Sequence, residues 1–519
     1  MEIVVKNLLL AILIFLTIIG CAVNPFHPKK LPHQPPNPFT RDAEYKKLNP
    51  FQQDLQYYLY IVKQAHPDIY ANLPQPEFDR LAAQLNAELT TETDTMRFLA
   101  KMKQFSHRFG DGHTGISSRI RTNTEQYPVR VRYFQEGWYI SAIDSTMIQH
   151  LGARINQING MPADSVMNRL MTLVNGENIY WFRVRINNVL PYPANLGLVD
   201  AAASDGRLHL VLDKNGISSE LTVAATSNAF MCTAGITGMT ASRDDAFWGQ
   251  ALPEDSVYYL QFNQFDDRRV GNNPDLPDWG QFLEHVFTTV DSLNLRTIVV
   301  DLRYNGGGNS ILGDMFLSCC ALPDSVLVYN GDVCISELLR DNYQSPNILQ
   351  AYGREMGKSM KGVKLPYTVR FDRSKPSKVA TRNGFADYSD PKNNLYFRHP
   401  ANPFDGKVIL LIGSNTFSSA VDFATMCFDN HLATLYGTPT GGKPSCFGDI
   451  LSFTLENSKI NCTVSYKYFV RPDPSLDPSD AIYPDVTIMP TPEQYFAGQD
   501  VVWERVLSDI RATSKNEMK

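Results

Sequence analysis

Three short segments of the chain bring together residue types that can do chemistry. In Gly413-Ser414-Asn415-Thr416-Phe417-Ser418-Ser419-Ala420-Val421-Asp422 an apolar run ends in hydroxyl and amide side chains, and small residues then open a helix. A serine at such a junction lies where free helix N–H groups and the dipole stabilise a developing oxyanion, and it is equally suited to a plain N-cap. In Asp301-Leu302-Arg303-Tyr304-Asn305-Gly306-Gly307-Gly308-Asn309 the strand-like TIVVD runs straight into three glycines. Consecutive glycines let backbone N–H groups approach a ligand, or simply allow a tight strand-to-helix turn. No Gly-Lys-Ser/Thr follows, which excludes a Walker loop. Gly437-Thr438-Pro439-Thr440-Gly441-Gly442-Lys443 ends in a lysine. That lysine accepts a proton only if burial keeps it neutral, and is otherwise a solvated charge.

Taken in order, these segments resemble the S41 serine peptidases, the C-terminal processing or tail-specific protease family. The family's Thr-x-Ser-Ala-x-Glu nucleophile motif resembles Thr416-Phe417-Ser418-Ser419-Ala420. Its Pro-Thr-x-Gly-Lys segment matches Pro439 to Lys443, 25 residues after Ser418 (443 − 418). Its Asp-x-Arg-x-Asn-x-Gly-Gly matches Asp301 to Gly308, and its Asp-Pro/Gly-His-Thr matches Asp111 to Thr114. The resemblance runs from about residue 50 to 490 and closes on IYPDVTI (482–488).

It implies endoproteolysis of peptide or protein substrates through an acyl-enzyme, with Ser418 as nucleophile, Lys443 as base and no cofactor or metal. The oxyanion donors it implies are the N–H groups of Ser419 and of Gly307 or a neighbouring glycine. His113 then orders the cleft wall. Tricorn-like relatives use a histidine base, which makes His113 the alternative to Lys443. Many members carry Glu three residues after the nucleophile; this chain has Val421 there, with Asp422 next to it. S41-like folds also occur in retinoid-binding modules of the interphotoreceptor type, so a ligand-binding protein is one rival reading. A lipoprotein scaffold recruiting partners on an inert core is the other.

The elements that must position these residues are legible from periodicity. Residues 46–108 read as helical, with amphipathic stretches over 76–89 and 95–107 and a break at His66-Pro67. Alternation then marks strands over 127–143 around a Glu-Gly turn, a strand, an Asn-Gly turn and a helix over 151–171, and a hairpin over 207–223. From about 229 strands alternate with helices: VYYLQF (257–262), a helix near 279–292, TIVVDL (297–302), KVILLIG (407–413) and a helix near 419–430. That alternation indicates an α/β layer. Residues 340–406 are polar and rich in turns. The resemblance implies a crotonase/ClpP-like ββα core, preceded by a helical region and carrying an inserted PDZ-like domain. The PDZ stretch Gly-Asp-x-Ile-x-x-Ile-Asn-Gly looks like Gly152 to Gly160, but Ala153 replaces its Asp and residues 172–205 interrupt the module. It reads as a degenerate PDZ-like domain, acting as a spacer or lid. The expected division is 1–20 signal, 21–45 Pro-rich linker, 46–122 helical region, 123–228 PDZ-like domain and 229–515 peptidase core.

The chain has 519 residues, 43% of them hydrophobic, and 48 Lys+Arg minus 54 Asp+Glu gives a net charge of −6. This is globular composition, not that of a disordered or multi-span membrane chain. Mild acidity without a block of like charges speaks against nucleic acid as a partner. Residues 8–19 form an apolar run after Lys6, too short for a comfortable span but fitting a secretory h-region. Ile18-Ile19-Gly20-Cys21 resembles the lipobox of bacterial lipoproteins, implying a lipidated Cys21, attachment to a membrane of the cell envelope and a Pro-dense spacer after it. His27 and His33 read as solvated spacer residues, and His66 and His107 as structural. The seven remaining cysteines lack C-x-x-C spacing, which argues for buried thiols with one or two disulfides permitted, and against a zinc site.

Overall fold

A computed structural model describes residues 35–116, 125–271, 273–343, 362–371, 379–381 and 388–517. The signal, Cys21, His27 and His33 lie outside them. Among the described residues no helix is long and apolar enough to cross a membrane. All seven described cysteines are free thiols, six of them buried.

The chain opens with α1 (Pro50–Ala65), α2 (Gln75–Glu88) and α3 (Thr95–His107). Asn49 caps α1 through a reciprocal box with Gln52, Pro50 fills the first turn, and the helix stops at Ala65 before Pro67. The last part of the expected linker is not free spacer. Tyr57 donates to the Pro35 carbonyl (2.7 Å), and Phe39 packs its ring 5.6 Å from Tyr45 and from Tyr60. Aromatic burial against α1 orders residues that their proline content marked as extended chain.

After β1 (Gly115–Ile116), a second unit contains β2 (Val129–Phe134), β3 (Gly137–Asp144), β4 (Arg154–Ile158), α4 (Ala163–Met171), α5 (Ile179–Arg185), α6 (Pro193–Leu198), β5 (Leu208–Lys214) and β6 (Ile217–Val223). The sheet order is β2-β3-β4-β5-β6, antiparallel throughout, with its own buried core. The outer edge of β2 is covered at Val131. Asn187, from the segment that interrupts the module, accepts from the Val131 N–H and donates to its carbonyl, both at 2.8 Å. One primary amide thus stands in for a neighbouring strand at the position where an added peptide would pair.

The third unit is the α/β layer. It runs β7 (Phe247–Leu252), β8 (Val257–Phe262), α7 (Trp279–Ser292), β9 (Thr297–Asp301), α8 (Ile311–Ser318), β10 (Asn330–Ile335), β11 (Tyr367–Val369), β12 (Lys407–Ile412), α9 (Ser419–Asp429), β13 (Thr434–Gly437), β14 (Cys446–Thr454), β15 (Asn461–Val470), β16 (Val486–Thr487) and α10 (Val501–Glu517). One six-stranded sheet has the order β16-β13-β12-β9-β8-β7, parallel except for the β7 edge. Its central strands are apolar on both faces because both faces are covered. Ile298, Val300, Leu410 and Ile412 face α7, α8 and α9, while Val299, Ile409 and Leu411 face Val502, Trp503 and Val506 of α10. The second sheet joins β1, β15, β10 and β11, with β14 on β15. Helices α1–α3 share a core with this sheet through Leu55, Tyr58, Phe78 and Phe98 against Phe453, Val464 and Tyr466. The helical region is therefore built onto this second sheet and shares its core.

Three of the four motif segments leave the carboxyl ends of adjacent parallel strands: Asp301 ends β9, the Ser418 loop follows β12, and the Lys443 loop follows β13. In open parallel sheets that edge forms the ligand crevice. The fourth segment reaches it from outside: Gly115 and Ile116 pair with Thr463 and Cys462, which holds Asp111–Thr114 against β15.

Candidate active site

Ser418 sits at the junction of the β12 loop and α9 with φ +54° and ψ −130°, and its hydroxyl makes no capping bond. The N-cap alternative is therefore not realised. The loop is anchored on both sides of it. Thr416 Oγ1 donates to the Leu302 carbonyl (2.9 Å) and accepts from the Gly413 N–H (3.0 Å), and the Phe417 N–H donates to the Asn305 carbonyl (3.1 Å). Such a backbone costs about 1–3 kcal/mol for a non-glycine residue and persists only where its surroundings over-determine it. Ser418→Gly should therefore be more stable to denaturant than Ser418→Ala by about 1 kcal/mol net, after glycine's own entropic penalty. Equal midpoints for the two variants would mean that no strain is stored at this position.

His113 Nε2 lies 3.0 Å from Ser418 Oγ. The hydroxyl proton can pass to Nε2 when the ring carries its own proton on Nδ1. That nitrogen faces two carboxylates, Glu177 Oε1 at 3.8 Å and Asp111 Oδ1 at 3.9 Å. Burial lowers the His113 pKa, while the Asp111 charge, the Phe447 carbonyl and Asp449 act in the opposite direction. The ring stacks on Phe417 at 5.1 Å, Trp181 also stacks on Phe417 at 3.9 Å, and the Arg185 guanidinium covers Trp181.

Asp111 is fully buried and is held by a shell of donors. Its Oδ1 accepts the His113 N–H (2.7 Å); its Oδ2 accepts from Ser465 Oγ (2.8 Å) and from His66 Nε2 (3.3 Å). His66 Nδ1 accepts the Asp68 N–H (3.1 Å), so Nε2 carries the ring proton and donates. Burial alone would raise the Asp111 pKa; the His66 hydrogen bond, with help from His113 and Thr114, brings it well below the usual carboxylate range. His107 Nδ1 donates to the Val174 carbonyl (2.7 Å), away from this cluster.

Glu177 comes from the segment interrupting the second unit. Asn178 fixes it there by donating to the Thr440 (3.2 Å) and Asp480 (2.7 Å) carbonyls. Glu177 Oε2 accepts the Lys443 N–H (2.7 Å). Burial pushes the Glu177 carboxyl up to about 8, with the Asp111 charge adding to it and the Lys443 and Gly112 N–H groups opposing it. Sequence periodicity marks this segment only as an interruption, so neither Glu177 nor Trp181 stood out beforehand.

The remaining expected site residues are distributed as follows. Ser419 Oγ donates to the Gly308 carbonyl (2.7 Å), which leaves Ser418 as the serine whose hydroxyl faces His113. The Ser419 N–H lies in the first turn of α9, where no intrahelical acceptor exists. Gly307 has φ +102°, and a Cβ there would come 2.6 Å from Ser418 Cβ and 3.1 Å from Ser419 N. Its own N–H donates to Asn305 Oδ1 (2.8 Å), so it contributes close backbone approach more than a free donor. Lys443 is half-buried, and among the described residues its Nζ makes no hydrogen bond. Its loop instead lines a cavity of about 400 Å³ with Asp68, Glu177, Asp332 and Arg370. Asp422 is pushed up to about 7 by burial and does not face the Ser418–His113 pair through any hydrogen bond.

Residues 256–487 match the model of peptidase family S41. That segment contains Ser418, Lys443 and Gly307, while Asp111, His113 and Glu177 precede it. No curated protein sequence matches the chain. Among solved structures, mature CPAF complexed with lactacystin is similar at 14% identity and TM-score 0.61, covering 90% of this chain and 98% of its own. Uncomplexed mature CPAF is similar at 15% identity and TM-score 0.60, covering 90% and 96%. At these identities the likeness is one of fold.

Proposed function

We propose, for a chain whose residues 256–487 belong to the S41 serine peptidases, that it is a membrane-anchored endopeptidase acting through Ser418 and His113. The observation that carries this reading is the 3.0 Å contact between His113 Nε2 and the Oγ of a serine held at positive φ. It lies inside the range for direct proton transfer.

Ser418 Oγ attacks the scissile carbonyl while His113 Nε2 takes its proton. The imidazolium that forms carries protons on both nitrogens, and the Nδ1 proton faces Asp111, whose negative charge stabilises it. The tetrahedral oxyanion is held by the Ser419 N–H at the start of α9. His113 then returns its proton to the leaving amine, and an acyl-Ser418 remains. Water, deprotonated by the same nitrogen, hydrolyses the ester and restores both side chains. Removing an oxyanion donor from such a site typically costs about 10²–10³ in kcat.

Cleavage of an unstructured peptide library by the detergent-solubilised full chain, beside Ser418→Ala, tests the assignment. All products should vanish in the variant. The base must be neutral to accept a proton, so kcat/KM should rise with pH through the His113 pKa. Because burial lowers that pKa, the acid limb should fall below the imidazole range of about 6.5. A limb above pH 8 would assign the base to a lysine. Anchoring rests on the Ile18-Ile19-Gly20-Cys21 lipobox: Cys21→Ser should move the protein from the membrane to the soluble fraction, and continued membrane association would sink the lipid anchor.

A further inference from the structure

We propose that Asp111, His113 and Glu177 form a binding site for a divalent transition-metal cation that switches the peptidase off. The inhibitory half of this inference rests on His113 being the base; the binding half does not. Three potential ligand atoms, a ring nitrogen and two carboxylate oxygens, all lie within 4.8 Å of one another. His113 Nδ1 stands 3.8 Å from Glu177 Oε1 and 3.9 Å from Asp111 Oδ1. The Glu177 side chain is 2% exposed, and neither its Oε1 nor His113 Nδ1, both buried, has a partner at full hydrogen-bond geometry; the Gly112 N–H and the Phe447 carbonyl stand beside them as weaker neighbours. Buried polar atoms so weakly satisfied are costly to leave so, and the 3.8 Å between these two is too long for a direct hydrogen bond.

The opposite atoms of the same groups are committed, which fixes the orientation of the cluster. Glu177 Oε2 is held by the Lys443 N–H, and Asp111 Oδ2 by Ser465 and His66. This is the outer shell that metal ligands usually have. Zinc binds imidazole nitrogen and carboxylate oxygen at about 2.0–2.2 Å. Donors 3.8 Å apart can both reach such an ion, and the third closes by a shift of a few tenths of an ångström. The Phe447 carbonyl, which faces the same ring, offers a further oxygen. Of the three ligands, Glu177 is the one on the wall of the 400 Å³ cavity.

The consequence for Ser418 follows from tautomer chemistry. A cation on Nδ1 takes that lone pair; the proton held there in the active tautomer leaves to solvent and one is taken up from solvent at Nε2, so the ring stays neutral with its single proton on Nε2. Nε2–H then donates to Ser418 Oγ and has no lone pair with which to accept its proton. No bond to substrate is made or broken, and no redox change is involved.

Zinc is the probe. The full chain in detergent, stripped with EDTA, is titrated with Zn²⁺ by calorimetry and, in parallel, assayed on peptide. One Zn²⁺ per chain is expected, with peptidase activity falling over the same concentration range and returning on EDTA addition. Mg²⁺, which prefers six hard oxygen ligands, should neither bind there nor inhibit. Glu177→Gln should weaken Zn²⁺ binding by about 10- to 100-fold, read as the calorimetric affinity and as the ratio of activities with and without zinc. His113→Ala, checked for folding by circular dichroism, should abolish the stoichiometric heat even though it is inactive. Absence of a one-to-one heat in the wild type, or unchanged affinity in both variants, overturns the site. Binding without inhibition retains the site and overturns the switch. Should the zinc-free wild type cleave nothing, the calorimetric arm still decides the site.

Discussion

Replacing His113 by alanine should lower kcat by an order of 10⁵–10⁶, about as far as replacing Ser418, because members of one proton-transfer unit are not additive. Lys443→Met should instead retain activity within about tenfold, the scale of a 1.4 kcal/mol perturbation. The contrast follows from where each nitrogen lies. His113 Nε2 is at hydrogen-bonding distance from the nucleophile, and a stack with Phe417 and Trp181 holds its ring. The contribution of Lys443 to the site is its backbone N–H to Glu177, which methionine preserves. Peptide hydrolysis by the three variants, each checked for folding, decides the matter. Full loss in Lys443→Met with survival of His113→Ala would return the base to the lysine that the family motif implies.

Much of this was legible beforehand because it is written locally. The helix over Trp279–Ser292 and the strand Val257–Phe262 coincide with their periodic stretches, and the motifs around Asp301, Ser418 and Lys443 are short and contiguous. Parallel strands buried on both faces advertise themselves as unbroken apolar runs, and the turns bearing the motifs follow directly from their ends. The choice between His113 and Lys443 was not legible. The 25-residue spacing joins Lys443 to Ser418 in sequence, whereas His113 is 305 residues away and is brought in by β1 pairing with β15. Glu177, Trp181 and Asn187 were hidden for another reason. They lie on one insertion whose periodicity is weak and whose meaning is entirely tertiary: one end reaches the catalytic loops and the other end covers the β2 edge. His66 and Ser465 act through Asp111 and carry no local signature.

Arg303→Met should destabilise the α/β layer by about 3–5 kcal/mol, since removing one member of a buried ion-pair network leaves uncompensated charge. The guanidinium is bidentate to two carboxylates at once. Its Nε and one terminal nitrogen bind Asp301 at 2.9 and 2.6 Å, and both terminal nitrogens bind Asp500 at 2.8 Å. Asp301 also accepts from the Tyr259 hydroxyl (2.8 Å), and Asp500 from Thr240 Oγ1 (2.6 Å), so each carboxylate is placed for the arginine and for little else. Burial alone would raise the Asp500 pKa, and the Arg303 hydrogen bonds and charge overturn that, leaving it below the ordinary carboxylate range. A depressed carboxylate contributes stability at neutral pH that is lost as pH falls through its folded pKa, so the wild-type advantage over Arg303→Met should shrink under acid. The geometry also ties stability to catalysis. Asp301 ends β9, Arg303 opens the turn to Gly307, and the carbonyl of Leu302 between them anchors Thr416, two residues before the nucleophile. Arg303→Lys should fail nearly as badly, because an ammonium cannot span two carboxylates in the plane of a fork. Thermal denaturation and peptide hydrolysis on the same samples test both halves: a fall in Tm of roughly 6–20 °C is expected for a layer of this size. A lysine variant of wild-type stability would show that the network needs only a charge and not its planar geometry.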